Sequence, residues 1–429
     1  MPTDTGDTRE SHLEVPENTS HGIATYLPLP FAQRKGIALC LSGGGYRAAL
    51  FHLGSLRRLN ELGILGQVDT ITSVSGGSVF VAHLAKHLIS CRSHEPTQTD
   101  VIPDWETGVG APLRAFVRSN IRTKAALARY DPRNWTLRGP VYEPLSETYS
   151  EYVTDARLDE LPTSPRFVIC ATDMEFGSQW VFDSGNRRIG SRAVGFASPV
   201  PEDWTIARAT AASSSFPGAF PPIPVSTDPD LFAHGLYRES DRRRRIKRIE
   251  LTDGGMYDNL GLEPVWRDHQ TLLVSDGGPT FTSWQSRSWL WRGLRHPVIL
   301  LDQVTDLRKR WLVSNFLKGE MQGAYWGIEG SPENYELEHE PTAYSDRIIQ
   351  QRIARIRIDF DAFSEAEIKV LENHGYLMAD IAVQRHMRKL VRHDRPVDIP
   401  HRDWMSERLV NSELRRSDQI SILGRGTRI

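Results

Sequence analysis

Two short runs carry the residue types that acyl transfer needs: Ser42-Gly43-Gly44-Gly45-Tyr46-Arg47 and Ser73-Val74-Ser75-Gly76-Gly77. Apolar, strand-like residues lead into each, 36–41 and 68–72, and a helical pattern follows each. A glycine-rich strand-to-helix turn presents backbone N–H groups at a helix N-terminus, which suits an anion. A serine in a similar tight turn, with glycine just after it, suits a nucleophile raised above a sheet. Together they describe an oxyanion hole beside a nucleophilic serine.

A third run lies far downstream, where the apolar stretch 249–252 delivers Asp253 to Gly254 and Gly255. Open α/β sheets bind ligands beyond the carboxyl ends of their strands. Three strand ends carrying glycines, a serine and an aspartate are therefore expected to converge at one mouth. A second Asp-Gly-Gly, Asp276-Gly277-Gly278, also ends an apolar run, but no asparagine follows it as Asn259 follows the first. Asp253 is the preferred partner for Ser75.

On these residues the sequence resembles the patatin-like phospholipases, whose pattern is G-G-G-x-R/K-G, then G-x-S-x-G, then D-G-G/A. Ala48 stands for the last glycine of the first motif and Ser73 for the first glycine of the second. Both are small. The run 209–217 with Phe220-Pro221-Pro222 also resembles the family's small-residue helix and proline turn, and the likeness extends over about residues 33–390. The resemblance implies a three-layer α/β fold with a central, mostly parallel sheet flanked by helices. It also implies a Ser75–Asp253 dyad without histidine, backbone donors at Gly43, Gly44 and Gly45, and supporting places for Arg47, Gly77, Gly254 and Gly255. The implied activity is lipid acyl hydrolysis of phospholipase A type, on a phospholipid or another acyl ester. Within that class stand a soluble esterase or thioesterase, and outside it a regulated effector or scaffold with low basal turnover.

The elements that must position these residues follow the same spacing. Leu50, Leu53, Leu56 and Leu59 recur at helical intervals, with Gly63 as a C′ residue. Phe80, Val81, Leu84 and Leu88 mark a helix after Ser75. Residues 167–171, 271–275 and 298–301 read as buried strands, and Ser364 with Glu367 has capping-box spacing before a helix running towards Met387. Strands alternating with helices predict a largely parallel sheet covered on both faces. Residues 1–30 read as a flexible arm, 31–390 as one catalytic domain with insertions at about 92–165 and 226–247, and 391–429 as a polar tail.

Composition narrows the alternatives. In 429 residues, 39% are hydrophobic and 25% charged, the net charge is −2, and only Cys40, Cys91 and Cys170 are cysteines. Such a balance gives no reason to expect nucleic acid, and three cysteines build neither a disulfide framework nor a spaced zinc motif. No apolar signal segment occurs in residues 1–20, and the low-charge stretch 36–54 holds Arg47 and five glycines, so a cytoplasmic location is expected. The chemistry needs no cofactor or metal. His83 and His87 have a zinc-like i, i+4 spacing without the glutamate of H-E-x-x-H, and His52 is an alternative base for Ser75. No Lys-Ser/Thr follows Gly45, which excludes a P-loop. The basic run 242–248 is a solvated loop or a contact for anionic lipid headgroups. The tryptophans Trp284, Trp289, Trp291, Trp311 and Trp326 lie amid basic residues in a segment that packs as core and lid or touches a lipid surface. Oligomeric state is left open.

Overall fold

The computed structural model describes residues 28–91, 101–128, 143–236, 239–279, 289–336 and 341–419. Most of the N-terminal arm, the end of the C-terminal tail and parts of both insertions lie outside the described residues. So do Trp284 and the side chains of Trp289, Trp291 and Arg242.

The chain opens with strand β1 (Ile37–Leu41), helix α1 (Gly45–Glu61), β2 (Thr70–Val74) and α2 (Gly76–Cys91). Helix α1 ends as its sequence predicts. Gly63 takes φ +67°, and the Ile64 N–H returns to Leu59 O at 2.9 Å, closing the last turn. Next come α3 (Ala111–Phe116), α4 (Ile121–Ala128) and α5 (Pro144–Tyr152) from the first insertion, then β3 (Arg166–Asp173), β4 (Ser178–Asp183), β5 (Arg188–Ser191) and β6 (Gly195–Ala197). Helix α6 (Ile206–Ser214) starts on Thr205, whose hydroxyl accepts the Arg208 N–H. It leads through β7 (Ile223–Pro224), β8 (Phe232–His234) and α7 (Glu239–Ile246) to β9 (Glu250–Asp253), α8 (Gly255–Asp258) and β10 (Thr271–Asp276). The chain closes with α9 (Trp289–Leu317), β11 (Gln322–Gly327), α10 (Asp346–Ile348), α11 (Glu365–His386) and α12 (Glu407–Glu413). Ser364 and Glu367 form the expected reciprocal capping box at the start of α11.

The eleven strands of the described residues join one sheet, whose main path runs β11-β10-β1-β2-β3-β4-β5-β6-β8. The first five are mutually parallel, and every strand beyond β3 is antiparallel to its neighbour. The parallel block is buried on both faces, which is why β1 reads as the unbroken apolar run IALCL. Leu39, Leu41, Ile71, Phe167, Ile169 and Leu273 point into a core shared with α1, α2, α6 and α11. Ala38, Cys40, Leu272 and Val274 point the other way, against Leu260, Leu262, Val265 and Leu312 of α9. Helices on both sides of a sheet give the expected three layers.

Two glycines set the tightest helix crossing. A Cβ on Gly54 of α1 would come within 1.8 Å of Glu372 O, and one on Gly375 of α11 within 1.9 Å of Phe51 O. Each helix lies against the other's bare backbone, which brings α11 close enough to cover α1.

One sequence expectation changes. Residues 298–301 belong to α9, not to a strand; a short apolar run looks alike in both, and the helical continuation decides it. Residues 391–419 pack on the main domain. Val410 and Leu414 are buried in the main core, and the Arg357 N–H donates to Ser417 O at 2.7 Å.

Candidate active site

Strand β3 places Ser75 against Asp253. Along one edge, β2 pairs in parallel from Thr70↔Arg166 to Val74↔Cys170. Beyond that point β2 turns away into α2, and β9 takes over, antiparallel, from Ala171↔Asp253 to Asp173↔Leu251. The two strands approach end to end, and Ser75 and Asp253 are the residues that meet. The convergence is as expected, but the direction differs: Asp253 arrives on a strand running opposite to β2.

Ser75 has φ +48°, the left-handed conformation that a nucleophile elbow would require, and retains 5% exposure. Its hydroxyl lies close enough to the Asp253 carboxylate to lower that group's pKa. Its N–H donates to Ser213 Oγ at 2.9 Å, and Ser213 Oγ donates to Cys170 O at 2.6 Å. Ser78 Oγ lies 2.8 Å from Ser213 Oγ and 3.0 Å from Ser73 Oγ. Ser73, at a position where glycine was expected, thus joins the polar network that fixes the elbow.

Close backbone approach explains the glycines. A Cβ on Gly76 would lie 2.0 Å from Gly45 O, one on Gly77 2.6 Å from Leu41 O, and one on Gly254 2.4 Å from Cys170 O. One on Gly43 would meet Asn259 Oδ1 at 2.5 Å and Ser75 Cβ at 3.1 Å, so the glycine loop packs directly on the serine. Gly44 and Gly45 take positive φ, +144° and +58°. The Gly43 N–H donates to Asn259 O at 3.1 Å and the Tyr46 N–H to Asp359 O at 3.0 Å. This corrects the expectation for Gly43: its amide is committed within the fold, whereas the amides of Gly44 and Gly45 have no hydrogen-bond partner among the described residues.

Burial pushes the Asp253 carboxyl up to about 6, although Ser75 and the hydrogen bond from the Gly255 N–H (2.7 Å) oppose the rise. Asp276 behaves in the opposite way. Burial would raise it, but Lys309 Nζ at 2.7 Å, the Tyr325 hydroxyl at 2.8 Å and the Gly278 N–H at 2.9 Å hold it at about 2. A carboxylate so fully paired is a poor proton acceptor.

His52 is not beside Ser75. It is fully buried, with Nε2 2.9 Å from Ser42 O and Nδ1 2.8 Å from Ser275 Oγ, and burial lowers it to about 4. Arg47 is buried as well. It donates to Gly277 O at 3.2 Å, Ala354 O at 3.1 Å, Ile356 O at 2.9 Å and Gly278 O. Arg47 thereby ties the glycine loop to the Asp276 turn and to the 354–356 segment. His83 packs on Phe116, ring centroids 5.3 Å apart, and does not pair with His87. The sequence reading missed Tyr149, whose hydroxyl lies 3.1 Å from Ser214 Oγ and whose ionisation senses Asp253. It lies in the first insertion, where spacing gave no sign of it.

The family model for patatin-like phospholipase matches residues 39–266. Among curated proteins, none matches the chain in sequence. Several solved structures are similar, two of them as follows. Human GIVD cytosolic phospholipase A2, in complex with a methyl gamma-linolenyl fluorophosphonate inhibitor and terbium chloride, has TM-score 0.43 and 13% identity, over 84% of this chain and 60% of that one. VipD from Legionella pneumophila has TM-score 0.32 and 14% identity, over 82% of this chain and 67% of that one. The chain thus spans about 60% of the length of the human phospholipase chain. The family match takes in more than half of the 429 residues, and it includes Asp253 while ending before Asp276. By that match the chain belongs to the patatin-like phospholipase family.

Proposed function

We propose that the protein is a lipid acyl hydrolase of phospholipase A type, with Ser75 as nucleophile and Asp253 as its base. The observation that carries this reading is the meeting of Ser75 and Asp253 at the junction of β2 and β9, with the carboxyl raised by burial to about 6. A base near that value accepts a proton at neutral pH far better than an exposed aspartate near 3.9. Asp253 takes the Ser75 proton as Oγ attacks the ester carbonyl, and the Gly44 and Gly45 amides hold the oxyanion. Collapse expels the alcohol, which takes up the proton from Asp253 and leaves an acyl-serine. Water, deprotonated by the same carboxylate, attacks the acyl-serine; the fatty acid leaves and Ser75 Oγ takes back the proton from Asp253.

The surroundings support a lipid surface as the place of reaction. β9 enters from beyond the catalytic edge of the sheet, and Arg243, Arg244, Arg245, Lys247 and Arg248 precede it, all exposed. On the other side, α9 climbs from Phe316, beside Gly323 of β11, to Lys309, at Asp276 on the end of β10. The ten residues before Lys309 extend about 15 Å further. Leu300, Val304, Leu307 and Trp311 form an exposed stripe on that helix. The basic end of α7 and an apolar helix flanking one mouth fit an anionic membrane. Among the described residues no helix is long and apolar enough to cross one.

The test is fluorophosphonate labelling with mass spectrometry, alongside release of fatty acid from phosphatidylglycerol vesicles. Labelling at Ser75 together with release supports the reading. Labelling at Ser75 without release from any phospholipid favours the soluble esterase or low-turnover effector, and labelling elsewhere overturns the dyad.

A further inference from the structure

The glycine loop is backed by a segment that neither Ser75 nor Asp253 touches. Gly45 has no room for a side chain: a Cβ there would come within 2.7 Å of Asp359 O and 3.0 Å of Asp359 N. Its neighbour Tyr46 donates its N–H to the same Asp359 O at 3.0 Å. The Tyr46 ring stands edge-on to Phe360 and Phe363, with centroids 5.3 Å and 5.9 Å away. Residues 359–363 therefore lie against the loop, and their main chain fixes where the Gly45 backbone sits.

What holds that segment comes from the first insertion. Arg122, on the first turn of α4, donates to Asp359 Oδ2 at 2.6 Å and reaches within 3.8 Å of Asp361 Oδ2. The Ile121 and Arg122 N–H groups both donate to Phe360 O, at 3.1 Å and 3.2 Å, and the Phe363 N–H donates to Val117 O at 2.9 Å. Asp359 Oδ1 accepts the Phe360 N–H at 2.8 Å, so the carboxylate is held at both oxygens. A second cation, Arg357, lies 3.7 Å from Asp359 Oδ2, but its guanidinium donates to Glu367 and to Ala362 O. Burial raises the Asp359 carboxyl, and Arg122 is the largest influence opposing that rise. Loss of Arg122 would leave a buried carboxylate without its nearest cation, a far larger disturbance than breaking an exposed pair.

We propose that Arg122 is a positioning residue for the oxyanion hole: through Asp359 it clamps residues 359–361 on Gly45 and Tyr46 and so sets the amides of the loop. The inference rests on the proposed Ser75–Asp253 reading and adds to it a residue from outside the sheet. An oxyanion donor works only when fixed about 2.7–3.1 Å from the developing charge, so a displaced loop weakens the transition state and not the bound ester.

The full chain is assayed on a soluble chromogenic ester as wild type, Arg122→Gln, Arg122→Lys, Asp359→Asn and the Arg122→Gln/Asp359→Asn double variant. Lys124→Gln is the control, since Lys124 of the same helix pairs with Glu151 in solvent. Arg122→Gln should lower kcat at least tenfold while KM stays within twofold of wild type. It should weaken by the same factor a trifluoromethyl ketone, which forms a tetrahedral oxyanion on the serine. Arg122→Lys keeps the charge and should recover most of the loss. The double variant should be no slower than either single one, because both break one link. Lys124→Gln should match wild type. Circular dichroism and thermal melts certify folding at the assay temperature, and Asp359→Asn carries the test should Arg122→Gln not fold. A lower melting temperature with kcat and ketone affinity unchanged would make the pair an ordinary salt bridge and overturn the clamp. Fluorophosphonate labelling separates the two claims. A reactive Ser75 with unchanged kcat in the variants sinks the clamp alone, whereas a wild type inert at Ser75 sinks both.

Discussion

Asp253 meets Ser75 because β9 occupies the stretch of the β3 edge that β2 leaves when it turns into α2: Val74 pairs with Cys170, and Asp253 with the next residue, Ala171. One strand thereby fixes both halves of the dyad.

Ser75→Ala is expected to lower turnover roughly 10⁴-fold or more while leaving the fold intact, since it removes only the hydroxyl. The Ser75 N–H that anchors the elbow on Ser213 remains. Initial rates on a chromogenic ester and a thermal melt check the two halves of the claim.

For Asp253, activity and stability should move in opposite directions. The carboxylate must be unprotonated to act, so kcat/KM should fall as pH drops through about 6. Its folded value lies above its unfolded one, so between about pH 4 and 6 the native state holds the extra proton and stability declines as pH rises. Asp253→Asn removes that penalty. It is expected to be inactive at every pH, yet more stable than wild type at pH 7 by on the order of 2 kcal/mol, an advantage absent at pH 4. Denaturant melts at the two pH values measure it.

Asp276→Asn is the contrasting variant. Its carboxylate lies below its ordinary value, so its pairing with Lys309 stabilises the fold above about pH 4, and that contribution is lost as pH falls through about 2. Removing it is expected to cost about 3 kcal/mol at neutral pH by stranding Lys309. The acid limb near pH 6 should persist in the folded fraction. Disappearance of that limb would make Asp276 the base.

Gly54→Ala tests the α1–α11 crossing. The added methyl has no room against Glu372 O, so the helices must part, at a loss of more than about 3 kcal/mol. Urea melts should show a lower midpoint.

Vesicle binding should depend on both flanks of the mouth. Leu300→Asp with Leu307→Asp on α9, and separately Arg244→Gln with Lys247→Gln and Arg248→Gln, are expected to reduce co-sedimentation with phosphatidylglycerol vesicles. Turnover of a soluble ester should stay unchanged. Salt should weaken wild-type binding, because the Debye length shrinks from roughly 10 Å at 0.1 M to 3 Å at 1 M. Equal loss of binding and turnover would mean that the basic residues before β9 serve only to support it.

The sequence by itself determined where the glycine, serine and aspartate turns stand, and the parallel block. Gly43–Gly45, Ser75 and Asp253 stand at strand ends because glycine, serine and aspartate in those contexts are local backbone signals, legible without tertiary contacts. The capping box at Ser364 and the αL glycine at Gly63 were legible for the same reason. What pairs with what was decided only in three dimensions. Two Asp-Gly-Gly runs look alike as sequence, and the preference for Asp253 rested on the asparagine that follows it. Their carboxylates separate because Lys309 and Tyr325 reach Asp276 while burial acts on Asp253 with no cation to offset it. His52 was a plausible base by proximity along the chain, until packing turned it to Ser42 and Ser275. Tyr149 and Ser213 gave no local sign of their places, because a residue's neighbours across a sheet are set by strand pairing and helix crossing rather than by its own spacing.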